Sequence, residues 1–157
     1  MRQPEATEQL EADGVRALSV GDFMTRELVT LTESDDLALA EQMLRLSGIR
    51  HLPVVREHKL VGILTHRDLL RSAASRPART TLAGEVMTRD PVAVMPATSL
   101  VHAARAMLHH KFGCLPVCDG DGTLLGIITE SDFVRFAADM MQDLDLVAEA
   151  VRGQHRA

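Results

Sequence analysis

The chain contains itself twice. Gly21-Asp22-Phe23-Met24-Thr25-Arg26 returns as Gly84-Glu85-Val86-Met87-Thr88-Arg89, and Leu52-Pro53-Val54 returns at the same offset of 63 residues as Leu115-Pro116-Val117. After one inserted residue, Leu60-Val61-Gly62-Ile63-Leu64-Thr65-His66-Arg67-Asp68 is matched by Leu124-Leu125-Gly126-Ile127-Ile128-Thr129-Glu130-Ser131-Asp132. Segments 21–55 and 84–118 agree at 10 of 35 positions, and 60–68 and 124–132 at 5 of 9. A duplication restricts architecture more than any single element does, because both copies must adopt one fold. A unit of about 60 residues buries only a modest core by itself. Two such units packed together make one adequate core.

Within each copy the same order of elements is legible. Leu28-Val29-Thr30-Leu31 and Pro91-Val92-Ala93-Val94 read as short strands, followed by the capping residues Ser34-Asp35-Asp36 and Thr98-Ser99. Leu37, Ala40, Leu44 and Ser47, like Leu100, Ala103 and Met107, then fall at helical spacing. Leu52 to Val55, a polar turn and Leu60 to Leu64 predict a hairpin; in copy two the turn is Asp119-Gly120-Asp121-Gly122. A second helix is expected from Thr65 and from Thr129. The fold class is therefore α+β, two β-α-β-β-α repeats. The expected divisions are an N-terminal arm 1–17, repeat one 18–75, a linker 76–80, repeat two 81–139 and a C-terminal helical extension 140–157. Phe133, Phe136, Ala137, Met140, Met141, Leu144, Val147 and Val151 give that last helix a surplus apolar face, suited either to dimerisation or to folding back over its own repeat.

Composition removes whole classes of function. A net charge of −5 argues against a broad nucleic-acid footprint, which needs clustered Lys and Arg. Phe23, Phe112, Phe133 and Phe136 are the only aromatics besides histidine, so there is no platform for stacking bases. No run approaches the roughly 18 apolar residues of a membrane span, and the polar, acidic N-terminus is unlike a signal peptide. The expectation is a cytoplasmic protein with neither nucleic-acid nor membrane partners. Cys114 and Cys118 stand four apart, about 13 Å in a strand, beyond the 7 Å or so that a disulfide tolerates. His109-His110 with these cysteines resembles a zinc set only in composition, since ligands at a helix end and along a strand do not converge on one ion. No nucleophile-base arrangement and no Gly-x-x-x-x-Gly-Lys loop is present, so an enzyme is not expected.

Each hairpin ends in Gly-x-x-Thr-x-x-Asp: Gly62, Thr65 and Asp68, then Gly126, Thr129 and Asp132. Thr-x-x-Asp is first of all a helix capping box. The same geometry also puts a hydroxyl, free amides and the positive end of a helix at one point, which suits a phosphate. A carboxylate one turn away can accept hydrogen bonds from both hydroxyls of a ribose. Capping and nucleotide binding are compatible uses of one motif.

With these motifs in two ordered copies, residues 18–139 resemble a tandem pair of CBS domains, the regulatory modules called after cystathionine β-synthase. The resemblance rests on Asp22 to Thr25, Glu85 to Thr88, His51-Leu52-Pro53-Val54-Val55 and both Gly-x-x-Thr-x-x-Asp endings. It implies a pseudo-twofold disc with a cleft on either side for adenosine-type ligands. By position, it gives Asp68 and Asp132 the ribose hydroxyls, Thr65 and Thr129 the phosphate or ribose edge, and Ser131 a phosphate contact. Val29, Ile49, Val92 and Phe112 would line the adenine slots, closed by Pro53 and Pro116. Arg50 takes a cationic phosphate position, matched in copy two by Gly113. Arg50, His51, His66 and Arg67 make the first copy's rim basic, whereas the second has Gly113, Cys114, Glu130 and Ser131. The expectation is a better phosphate site at Asp68 and a weaker or differently selective one at Asp132, with each cleft free to borrow from the other copy. The resemblance also implies AMP, ADP, ATP or S-adenosylmethionine as regulatory ligand, with magnesium admitted as a companion ion, no catalytic cofactor, a homodimer, and an effector protein that the sequence does not identify. The contrasting reading is an adaptor with vestigial sites that works through protein contacts.

Overall fold

The computed structural model describes the backbone of residues 17–154 and the side chains of residues 17–145. The expected arm therefore lies outside the described residues up to position 16, as do the side chains of Val147 and Val151. The chain runs α1 (Val20–Phe23), α2 (Leu37–Ser47), β1 (His51–Arg56), β2 (Lys59–Thr65), α3 (His66–Ala73), α4 (Ala83–Val86), β3 (Thr88–Arg89), α5 (Leu100–His110), β4 (Cys114–Cys118), β5 (Leu124–Thr129) and α6 (Glu130–Gln154). This is the expected α+β class built on small sheets, β1-β2-β3 and β4-β5.

Equivalent helices are delimited in equivalent ways. Asp36 accepts the Leu39 amide at 2.8 Å to open α2, and Ser99 accepts the His102 amide at 3.2 Å to open α5. α2 stops at Gly48 with φ 64°, whereas α5 stops at Lys111 with φ 57°, the same left-handed turn made without a glycine. Leu37, Ala40 and Leu44 form the buried stripe of α2; Leu100, Ala103 and Met107 form that of α5.

The hairpins share a register irregularity, at Val54/Val55 and at Val117/Cys118, so the duplication extends to a bulge. Their turns differ. Glu57 and His58 both take positive φ, 49° and 68°, making a two-residue turn of the primed type without glycine. The longer second turn is held by Asp119, whose carboxylate accepts the Asp121 and Thr123 amides at 3.0 and 2.8 Å. The two turns are joined by Leu60 N donating to Gly122 O (3.1 Å) and Leu124 N donating to His58 O (3.0 Å).

The strands expected at 28–31 and 91–94 shrink to single parallel bridges, Leu31 to Val54 and Val94 to Val117. Proline explains the loss. Leu31 N donates to Pro53 O (2.9 Å) and Leu31 O accepts from Val55 N (2.8 Å), but the next rung toward Val29 needs an amide that Pro53 lacks. Pro116 stops the Val94 bridge in the same way, after bonds of 3.0 Å to Pro116 O and 2.9 Å from Cys118 N.

The core divides into two clusters that do not follow the repeat boundaries. The first joins Leu31, Leu37, Ala40, Leu44, Leu52, Val54, Leu64 and Leu69 to Ala83 and Met87 of the second repeat. The second joins Leu100, Ala103, Met107, Leu115, Val117 and Ile128 to Val20 and Met24 of the first. Each repeat thus sends its leading segment into the other. Backbone bonds fix the exchange: Val20 N to Thr98 O and Gly21 N to Pro96 O, both 2.8 Å, on one side, and Ala83 N to Asp35 O (2.7 Å) and Gly84 N to Glu33 O (3.0 Å) on the other. A small third cluster, Ile63, Cys114 and Ile127 with Leu28, fills the space between the hairpins. Phe23 meets Phe136 edge-on at 4.9 Å and ties α1 to α6, which continues without a break past residue 139.

Candidate functional site

Both Thr-x-x-Asp motifs make the cap that their spacing predicts. The Thr65 amide and hydroxyl donate to Asp68 Oδ2 at 2.9 and 2.6 Å, and the Asp68 amide donates back to Thr65 Oγ1 at 3.3 Å. In the second copy the Thr129 amide and hydroxyl both donate to Asp132 Oδ2 at 2.8 Å. One carboxylate oxygen is therefore committed to the cap, and the other is left for a partner. Asp68 Oδ1 is paired closely with Arg71, and Asp132 Oδ1 stands 3.4 Å from Arg135.

Only the second motif opens onto the cavity where most of the expected site residues converge. A cleft of about 320 Å³ is lined by Val29, Ile49, Arg50, His51 and Pro53 from the first repeat and by Gly113, Thr129, Ser131 and Asp132 from the second. That volume is at the lower end of the 300–1,000 Å³ or so of small-molecule pockets. Its apolar wall comes from Leu28, Val29, Ile49, Pro53 and Ile127. At its polar end stand the first turn of α6, whose Glu130 amide donates to Gly113 O (3.2 Å) and whose dipole is positive there, and the cations Arg50 and Arg135. Thr25, Glu27, Leu28, Gly48, Ile127 and Arg135 also line the cleft and were not singled out as site residues from the sequence. Arg135 was findable, since it falls three residues after Asp132 on the helix that the motif starts.

The expected grouping of basic residues is redistributed. Arg50 and His51 line the cleft whose carboxylate is Asp132, while Asp68 stays near enough to His51 to act on its charge. Asp68 is 5% exposed. His66 lines a smaller groove with Leu37, Glu41, Leu69 and Arg76, and Arg67 is exposed. Val92 is exposed and Pro116 fully buried. Phe112 stacks on His110 at 5.1 Å and packs against the second core cluster. Cys114 is buried between the hairpins, where burial first and Glu130 second push its thiol up to about 12. His51 is moved the other way: burial, then Arg50, lowers its pKa, against the pull of Glu130 and Asp68. His109 and His110 are exposed at the end of α5 while both cysteines are buried on β4, and among the described residues no group of three ligating side chains could hold a metal ion. Among them, too, no helix is long and apolar enough to cross a membrane.

The CBS domain model matches residues 20–75 and again 83–139, one match on each copy of the capped motif. The chain belongs to that family. The CBS pair resembles CBSX2 of Arabidopsis thaliana solved in complex with AMP, at 34% identity and a TM-score of 0.70, over 79% of this chain and 98% of that one. It also resembles the CBS pair of protein MJ0100 in complex with 5-methylthioadenosine and S-adenosyl-L-methionine, at 27% identity and a TM-score of 0.73, over 80% and 99% of the two chains. Among curated relatives, inosine-5'-monophosphate dehydrogenase of Korarchaeum cryptofilum is 34% identical over 110 residues, 70% of this chain but 22% of the enzyme. The chain spans between about a fifth and a half of the first curated relatives it matches.

Proposed function

We propose that this CBS pair is a regulatory module, not an enzyme, that binds an adenine nucleotide or adenosyl ligand in the cleft and reports it by a change of conformation or assembly. The observation that carries the reading is the meeting in one cavity of an apolar wall from the first repeat with Thr129, Ser131 and Asp132 at the start of α6. The wall accepts a purine. Asp132 Oδ1 accepts from ribose hydroxyls once Arg135 swings aside, and the α6 amides, Ser131 and Arg50 receive the phosphate. Neighbours of the same fold that hold AMP or S-adenosylmethionine support the same ligand class here. A ligand that touches both repeats favours the arrangement in which they converge, and only that differential affinity can do regulatory work.

The module acts as a homodimer on an effector protein. Leu46 and Leu70 on the first repeat and Val101, Leu108 and Val134 on the second leave apolar side chains at least three-fifths exposed, which a second copy would cover. The adaptor reading draws on one feature, the exposed Met140, Met141 and Leu144 on α6.

Calorimetric titration of the nucleotide-stripped protein with AMP, ATP and S-adenosylmethionine tests the proposal. The expected result is one main site per chain, with Asp132→Ala weakening it about ten- to a hundredfold, as loss of a charged hydrogen-bond acceptor does. No heat and no thermal shift with any of the three would favour the adaptor.

A further inference from the structure

His51 is placed to do more than line the cleft. As the first residue of β1 it reaches across the boundary between the repeats, and its Nε2 lies 2.9 Å from where a Cβ on Gly113 would stand. The glycine is what admits the imidazole. The charged groups that face it come from every neighbouring element: Arg50 from its own segment, Asp68 from the first turn of α3, and Glu130 from the first turn of α6. Cys114 of β4, a neutral buried thiol, shares the Glu130 field, and Glu27, Asp132 and Arg135 line the same cavity. One titratable ring thus stands between the acidic first turns that carry the two motifs. Burial and Arg50 hold it toward the neutral form, and Glu130 and Asp68 draw it toward the charged form. A group balanced in this way changes charge when one further charge arrives within about 4–6 Å.

We propose that His51 is the proton-linked selectivity residue of the cleft: neutral while the cleft is empty, it takes up a proton when an anionic ligand enters, so that phosphate-bearing adenosine ligands gain affinity as pH falls and uncharged ones do not. The inference rests on the adenosyl-ligand reading and adds to it a regulation by pH. The proton comes from solvent and stays on the imidazole for as long as the phosphate is bound. By linkage, one proton taken up steepens binding by at most about tenfold per pH unit. Reciprocity makes the bound nucleotide a local buffer of the His51 charge, felt by Asp68 in the other motif.

The test is calorimetry of the full chain with AMP and with adenosine at pH 7, in two buffers of different ionisation enthalpy, for the wild type and His51→Gln. The wild type is expected to take up a fraction of a proton with AMP and none with adenosine, and His51→Gln to lose that uptake. The titration of free AMP, with a second phosphate pKa of about 6, is common to both proteins and cancels in the difference. The preference for AMP over adenosine should rise several-fold between pH 8 and pH 6 in the wild type, and less in the variant. AMP binding with equal proton counts in the two proteins overturns the inference and leaves the ligand reading standing. Silence with both ligands removes the ligand reading and the inference with it. Should His51→Gln fail to fold, the His51 imidazole resonance of the wild type is followed from pH 8 to pH 5 with and without AMP: a midpoint raised by AMP is expected, and one that AMP does not raise overturns the inference.

Discussion

Asp68 and Asp132 begin as the same residue in the same cap and end in different situations. Each commits one oxygen to its threonine and offers the other to an arginine three residues on. The two side chains are similarly buried, 7% and 11% exposed, but Asp68 is paired with Arg71 away from the cleft of about 320 Å³, whereas Asp132 lines that cleft with Arg135 at 3.4 Å. The difference does not come from the motif. It comes from what the opposite repeat presents: Arg50, His51 and the apolar wall of the first copy stand before Asp132. Local sequence sets the cap, and the neighbour across the boundary sets what the capped carboxylate faces.

The sharpest way to break this comparison is at the paired hairpin glycines. A Cβ on Gly126 would stand 2.9 Å from the Thr25 backbone oxygen as well as meeting the Met24 side chain, whereas the three atoms nearest to one on Gly62 all belong to the flexible Met87 side chain. Gly126→Ala is therefore expected to cost about 1–3 kcal/mol by overpacking, and Gly62→Ala distinctly less, read as shifts of the urea midpoint at constant slope. Equal losses would mean that the two exchanged segments are held alike.

A smaller effect separates the caps from the site. Asp68→Ala and Asp132→Ala should each lose a cap, at about 1 kcal/mol and to a similar extent, since the Thr65 and Thr129 donors are alike part-buried. Ligand response should separate them, lost in Asp132→Ala and retained in Asp68→Ala, measured by thermal shift with AMP.

The smallest effects lie at the equivalent positions His51 and Cys114. The folded state keeps His51 neutral below the usual imidazole value of 6.5, so the unfolded chain binds more protons there and stability falls as pH drops through 6.5. The folded state keeps the Cys114 thiol protonated toward about 12, so its contribution is complete below pH 9 and is lost as pH rises from 9 through 12. Thermal unfolding of the ligand-free protein should therefore weaken on both flanks, with His51→Gln flattening the acid side and Cys114→Ala the alkaline side.

Much of this was legible in the chain. The helical stripes, the caps at Asp36 and Ser99 and both hairpins follow from spacing and residue type, because periodicity records which face of an element is buried. It does not record the partner. Nothing in Val20 or Met24 says that they pack with Leu100 and Met107 instead of with their own repeat, and so the exchange of leading segments was not foreseen. The same blindness hides that Arg50 and His51, in the same repeat as Asp68, also line the cleft of Asp132. The lost strands are a different failure. Pro53 and Pro116 stood in plain view, but the missing amide matters only once a parallel partner is known to lie alongside.

The crossed leading segments also bear on how such a chain can come into being. Val20 and Met24 complete one core, Ala83 and Met87 the other, and a cut within residues 76–80 leaves two pieces, each lacking a part of its own core that only the other holds. A lone ancestral unit of this layout would be whole only as an intertwined pair, in the manner of a domain-swapped dimer. Joining two copies end to end turns that encounter into a tethered one, with an effective concentration in the millimolar range for a short linker. Once tethered, the copies no longer have to be identical to find each other. Arg50-His51 set against Gly113-Cys114 is the kind of divergence that this freedom permits: one half supplies the charge, and the other keeps the room for it.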